Sequence, residues 1–143
     1  MWEGEGEGHY PTIEPFRYRE RVTFTAPPKP LVGYAQQTWH AVDGRPLHAE
    51  SGFWRWSEDD PASVELVIAH GFGLTEVAVG RLEGTSLRVA SLHLARTPTA
   101  KEVTQVTRSV TVEGDTLTYD VAMAAVGQPL THHLHAELRR VEP

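Results

Sequence analysis

Cysteine is absent from this 143-residue chain. That excludes a disulfide framework, a thiol nucleophile and a zinc–thiolate centre together. No stretch comes near the ~20 consecutive apolar residues of a membrane-spanning helix. No basic segment followed by an apolar one opens the chain, so a cytoplasmic protein without a membrane segment is expected. Positive charge is scarce: 13 lysines and arginines against 19 aspartates and glutamates leave a formal net charge of -6. The bases are scattered, which argues against nucleic acid or an anionic membrane as partner. The nucleophile elbow G-x-S-x-G is missing, and Ser51 in Glu50-Ser51-Gly52 stands without a supporting motif. Amphipathic helices longer than two turns are missing as well. With 40% hydrophobic and 22% charged residues the composition is ordinary, and the length suits a single domain over 1–143.

What the chain does have begins at its first residues, MWEGEGEGHYPTI. Gly4, Gly6 and Gly8 alternate with Glu3, Glu5 and Glu7, and a period of two reads as a strand. One face of such a strand carries no side chains. Glycine weakens a strand, so the pattern points to close approach of another backbone or of a flat ligand. The glutamates then face solvent. A flexible acidic leader would have the same composition, but Trp2 and Tyr10 at the two ends argue for packing.

Turn signals recur at short intervals, among them Asp43-Gly44, Glu83-Gly84, Glu113-Gly114-Asp115 and Gly127-Gln128-Pro129. Between them lie short alternating or β-branched runs: 21–25, 64–69, 76–82, 87–94, 103–112, 117–123 and 134–141. With the glycine strand and runs near 33–40 and 47–56, they predict an all-β, antiparallel, up-and-down barrel of roughly ten strands. Short helical turns are expected around 11–16 and 129–133. A barrel of that size is too wide for side chains to fill, so an internal ligand cavity is expected.

The candidate chemistry is histidine. Eight are present, at positions 9, 40, 48, 70, 93, 132, 133 and 135. In Thr131-His132-His133-Leu134-His135 the alternation puts His133 and His135 on one strand face. Neither HExxH nor a carboxylate pattern accompanies them, so a zinc site is not expected there.

Trp2-x-Gly4-x-Gly6-x-Gly8-x-Tyr10-Pro11-Thr12-Ile13 resembles the signature of the nitrobindins, haem-binding β-barrels similar in shape to fatty-acid-binding proteins. The likeness continues through Tyr34–Trp39, Pro46–Arg55, Val64–Ala69, Pro98–Thr104, Ala125–Leu130 and His133–Leu138. The resemblance implies one ferric haem b per chain, with His133 as axial iron ligand and His132 and His135 as solvated neighbours. The alternation of Leu134, Ala136 and Leu138 leaves His133 on the opposite face. A ligand inside the barrel therefore needs a break in the strand, which is expected in the 129–132 connection. Thr12 would meet a haem edge, and Lys101 would meet a propionate or stand in solvent. Leu47, His48, His70 and Met123 match cavity-lining positions, with ordinary core packing the other reading of Met123.

The activity implied is isomerisation of peroxynitrite to nitrate, with binding of nitric oxide, in a monomer or homodimer. Two alternatives stay open. One is a nitric-oxide sensor or carrier without turnover. The other is an iron-free carrier of fatty acid or another apolar ligand, for which Arg55, Arg108 and Tyr119 offer a carboxylate-binding set. The family usually has a glycine two residues before the tryptophan, whereas Met1 directly precedes Trp2 here. Fraying of the first strand's pairing is expected from that departure.

Overall fold

The structure, a computed structural model, describes residues 1–141. Ten strands follow one another: β1 (Trp2–Tyr10), β2 (Ile13–Thr25), β3 (Leu31–His40), β4 (Pro46–Trp56) and β5 (Ser63–His70), then β6 (Leu74–Glu83), β7 (Ser86–Arg96), β8 (Val103–Glu113), β9 (Thr116–Ala125) and β10 (Thr131–Arg140). Each pairs antiparallel with its neighbour in sequence, and β1 pairs with β10, so the sheet closes on itself. Closure leaves no edge strand, although β7 and β8 pair over only part of their length. The up-and-down barrel expected from the turn spacing is the observed architecture.

The expected helical turns are absent among the described residues. Pro11 and Thr12 form a tight turn that feeds straight into β2, and 129–130 lead directly into β10. Each proline sits just outside a strand, where its missing N–H costs no ladder bond.

β1 does not fray. Trp2 pairs with Val22 on one side and Arg140 on the other, and its ring is buried beneath the Arg140 guanidinium at 4.9 Å. The glycine face looks into the barrel. A Cβ on Gly6 would lie 2.3 Å from the Tyr18 ring, and one on Gly8 2.3 Å from the Phe16 ring. Two aromatic rings of β2 therefore occupy the space that side chains on this face of β1 would take. The outer glutamates are paired rather than simply solvated: Glu3 bonds Arg21 at 2.8 Å and Glu5 meets Arg17 at 3.3 Å. Ion pairs this exposed add little stability, but they agree with the register.

Side chains on the inward parity do not fill the lumen. A cavity of about 870 Å³ remains, lined by residues of β1 to β10 except those of the outer face. One seam is short: β7 and β8 pair only over 86–90 with 107–111. Beyond that ladder, the Val106 N–H donates to Ser91 Oγ at 3.0 Å.

Candidate functional site

The decisive local feature lies in β10. Its register with β9 runs His132↔Ala122 and then Leu134↔Val121, so His133 has no partner and forms a β-bulge. The break in alternation is thus inside the strand, two residues after its start, and not in the 129–132 connection where the sequence placed it. The bulge lets two consecutive residues, His133 and Leu134, face the same cavity. The ladder then resumes, with Ala136 and Leu138 buried.

His133 is held by what surrounds it. Its Nδ1 lies 3.0 Å from the His9 carbonyl oxygen. A carbonyl can only accept, so Nδ1 carries the proton and Nε2 keeps its lone pair. Burial, aided by Lys101, His132 and, across the cavity, His48, outweighs the hydrogen bond to His9 and holds the ring below the ordinary histidine pKa, which favours the neutral form. The Tyr10 ring packs edge-on against it, 5.4 Å between centroids. The Tyr10 hydroxyl accepts from the Ala125 N–H at 2.9 Å and reaches the Met123 carbonyl at 3.1 Å, which fixes the end of β9.

His132 and His135 point the other way. His132 Nε2 and His135 Nδ1 both bond Asp120 Oδ1, at 3.0 and 2.9 Å, on the exposed outer surface. Leu47, His48, His70, Lys101 and Met123 line the cavity with His133. Lys101 stands at the rim with its Nζ 5.2 Å from the Phe72 ring centroid. Thr12 lies in the exposed β1–β2 turn, outside the cavity wall.

Sequence reasoning missed the charged network across the lumen. Arg108 donates from Nη1 to Glu50 Oε1 at 3.1 Å and from Nη2 to Glu76 Oε1 at 2.9 Å. Tyr34 donates to Glu50 at 2.8 Å, His48 Nε2 lies 2.9 Å from Glu50 Oε2, and His70 Nε2 lies 2.9 Å from Glu76 Oε1. Burial pushes both carboxyls up, but Arg108 and the imidazoles overcome it and hold Glu50 and Glu76 below the usual range. Burial lowers His70, whereas its bonds to Glu50 and Glu76 raise it, and the bonds win. Alongside sits a second group, in which Tyr119 donates to Glu20 at 2.6 Å and Gln36 donates to it at 2.7 Å. Burial pushes Glu20 up to about 7. The available signal was parity: Glu20, Glu50 and Glu76 each occupy an inward position of a strand, where a charge is out of place unless it is paired.

The cavity suits haem on three observations. Its volume lies within the ~300–1,000 Å³ of small-molecule sites. Its lining is largely apolar, with Leu47, Phe72, Met123 and Leu134 among the side chains. Its one bulged histidine donates Nδ1–H to a backbone carbonyl, the arrangement that readies Nε2 for a metal.

A family model described as the THAP4-like, heme-binding beta-barrel domain matches residues 1–140. The chain belongs to this family. This THAP4-like barrel is 49% identical to peroxynitrite isomerase 2 of Mycobacterium avium (strain 104), over 97% of this chain and 88% of that protein. It is 47% identical to peroxynitrite isomerase 1 of Mycobacterium tuberculosis (strain H37Rv), with the same two coverages. Among solved structures it superposes on Rv2717c from M. tuberculosis with a TM-score of 0.90 and 44% identity, covering 99% of this chain and 91% of that one.

Proposed function

We propose that this chain, working as one domain over 1–143, binds haem b through His133 and isomerises peroxynitrite to nitrate, with nitric oxide as a further ligand. The observation that carries the reading is the β10 bulge, which turns a neutral, hydrogen-bonded histidine into an apolar cavity. Two relatives near half identity are named peroxynitrite isomerases, which supports the same assignment. Haem bound here supplies a Lewis-acidic ferric centre for an anionic substrate, so no protein general base is required.

The chain's own residues do the rest. His9 and Tyr10 orient the His133 ring that would hold the iron, and Lys101, at the rim, would meet a propionate. Met123 and Leu47 would pack against the macrocycle, while His48 and His70 present polar edges to the cavity. Thr12 is the weakest member of this set, since its place in the exposed turn allows contact with a haem edge only at the mouth. Action in the cytoplasm on small molecules, as a monomer or homodimer, completes the proposal.

The fatty-acid carrier loses support from the geometry. Arg55 is on the outer surface beside Glu65, Arg108 is committed to two carboxylates, and Tyr119 donates to Glu20. A nitric-oxide sensor uses the same residues as the isomerase, so kinetics must separate them. Stopped-flow absorbance of peroxynitrite with the ferric protein should show decay that accelerates in proportion to protein, with product shifted to nitrate and suppression by cyanide. Equal acceleration by hemin-free protein or by His133→Ala would overturn the reading.

A further inference from the structure

The charged network contains a second constellation, on the opposite wall of the barrel from His133. β5 is five strands from β10 in either direction around the sheet. There His48 and Glu50, two apart on β4, project inward together, and Glu50 pairs with His70 at the end of β5. Three atoms converge. His48 Nε2 is 2.9 Å from Glu50 Oε2, His70 Nδ1 is 3.1 Å from the same oxygen, and the two nitrogens are 3.3 Å apart.

A tetrahedral zinc-type ion with bonds of ~2.0–2.1 Å has ligand atoms about 3.3 Å apart along each edge. The triangle is one face of such a tetrahedron, drawn in by a few tenths of an ångström. The outer partners are also in place. His70 Nε2 lies 2.9 Å from Glu76 Oε1, and because a carboxylate only accepts, Nε2 holds the proton. In the neutral ring Nδ1 then points a lone pair at Glu50. Carboxylate, imidazole and inward lone pair form the chain that supports metal-bound histidines. The Phe72 ring packs on both imidazoles, at 6.0 and 5.5 Å between centroids.

The charge count leaves room for a cation. Glu50 and Glu76 bring two negative charges, with side-chain exposures of 3% and 0%, and Arg108 brings one positive charge. One negative charge is left over where unpaired charge is costly. A proton on His70 would balance it, but it leaves the nitrogen of His48 and that of His70 both competing for one Glu50 oxygen. A divalent cation satisfies all three atoms together in place of that proton, and its second charge leaves the cluster at +1, which an anionic fourth ligand balances.

We infer that His48, Glu50 and His70 form a binding site for a zinc-type divalent cation in the cavity wall, distinct from the His133 position. Two imidazoles and one carboxylate are a zinc donor set with the fourth position open. Both imidazoles line the cavity, so that position faces it and admits water or an anionic ligand. The site does not depend on the haem reading.

Cobalt(II) titrated into hemin-free full-length protein tests it, since four-coordinate cobalt absorbs strongly in the visible. One equivalent should give that ligand-field spectrum, and zinc should bleach it. His48→Ala, on the partly open edge of the cluster, and His70→Ala should each weaken binding 100-fold or more, and Glu76→Gln about 10- to 100-fold. His133→Ala and the double variant His132→Ala/His135→Ala should leave the spectrum intact. Zinc should also raise the Tm of the native chain but not that of His48→Ala. Absence of the visible spectrum overturns the site, as does its survival in His48→Ala or its loss in the His132/His135 double variant.

Discussion

Single side chains in this protein are defined less by type than by the atom each neighbour offers. His132, His133 and His135 are chemically identical, yet a carbonyl faces one ring and Asp120 faces the other two. His133→Ala should abolish stoichiometric hemin binding, read as loss of a Soret band at one equivalent, whereas His132→Ala and His135→Ala should titrate as the native chain does. Glu20 has a different consequence. Its folded pKa of about 7 stands above the unfolded value of 4.5, so the folded state holds the extra proton between those values. The stability it contributes is present below about pH 4.5 and is lost as pH rises toward 7. At ~1.4 kcal/mol per pKa unit the swing is about 3 kcal/mol. Glu20→Gln should flatten that decline and make the protein more stable than the native chain at pH 8, as measured by urea denaturation across pH.

At the scale of the strand, β1 and β10 solve complementary problems. β1 gives up side chains so that the rings of Phe16 and Tyr18 can lie against it, and β10 gives up one ladder pair so that a histidine can enter the lumen. Gly6→Ala would set a methyl 2.3 Å from the Tyr18 ring and 2.5 Å from its hydroxyl oxygen, which is bonded to Tyr119 at 2.7 Å. A shift of the ring would strain that bond. We expect a loss of about 1–3 kcal/mol, the usual cost of overpacking, from the shift in urea midpoint. Glu5→Gln, on the outer face of the same strand, should stay within ~0.5 kcal/mol.

Across the whole molecule, Arg108 joins strands that are distant in sequence. It reaches from β8 to Glu50 on β4 and Glu76 on β6, inside a lumen that side chains do not fill. Arg108→Leu leaves both carboxylates buried without their cation and should cost about 3–5 kcal/mol at neutral pH. The loss should shrink in acid. Both folded carboxyl pKa values lie below 4.5 in the native chain, so their contribution is present above about pH 4.5 and is lost as pH falls through the lowered values. Thermal melts of native and variant protein between pH 3 and 8 should therefore converge at the acidic end.

The strand count, the antiparallel order and the cavity were legible in the sequence because turn spacing and alternation are local properties of a chain. The family and its candidate axial histidine were legible as a run of matched motifs, from Trp2–Ile13 to His133–Leu138. The place of the break that admits His133 was not, because a bulge is defined by which residue on β10 lacks a partner on β9. Pairing across the barrel was equally hidden. Nothing near Arg108 in the chain indicates that it meets Glu50, 58 residues away, or Glu76, 32 residues away. Parity alone marked those charges as inward; Glu50 and Glu76 meet His48 and His70 along β4 or between neighbouring strands, but only the rolled-up sheet brings Arg108 across the lumen to both carboxylates. Periodicity fixes which face a side chain takes, whereas distances between faces depend on how ten strands twist and close, and that is a property of the tertiary fold.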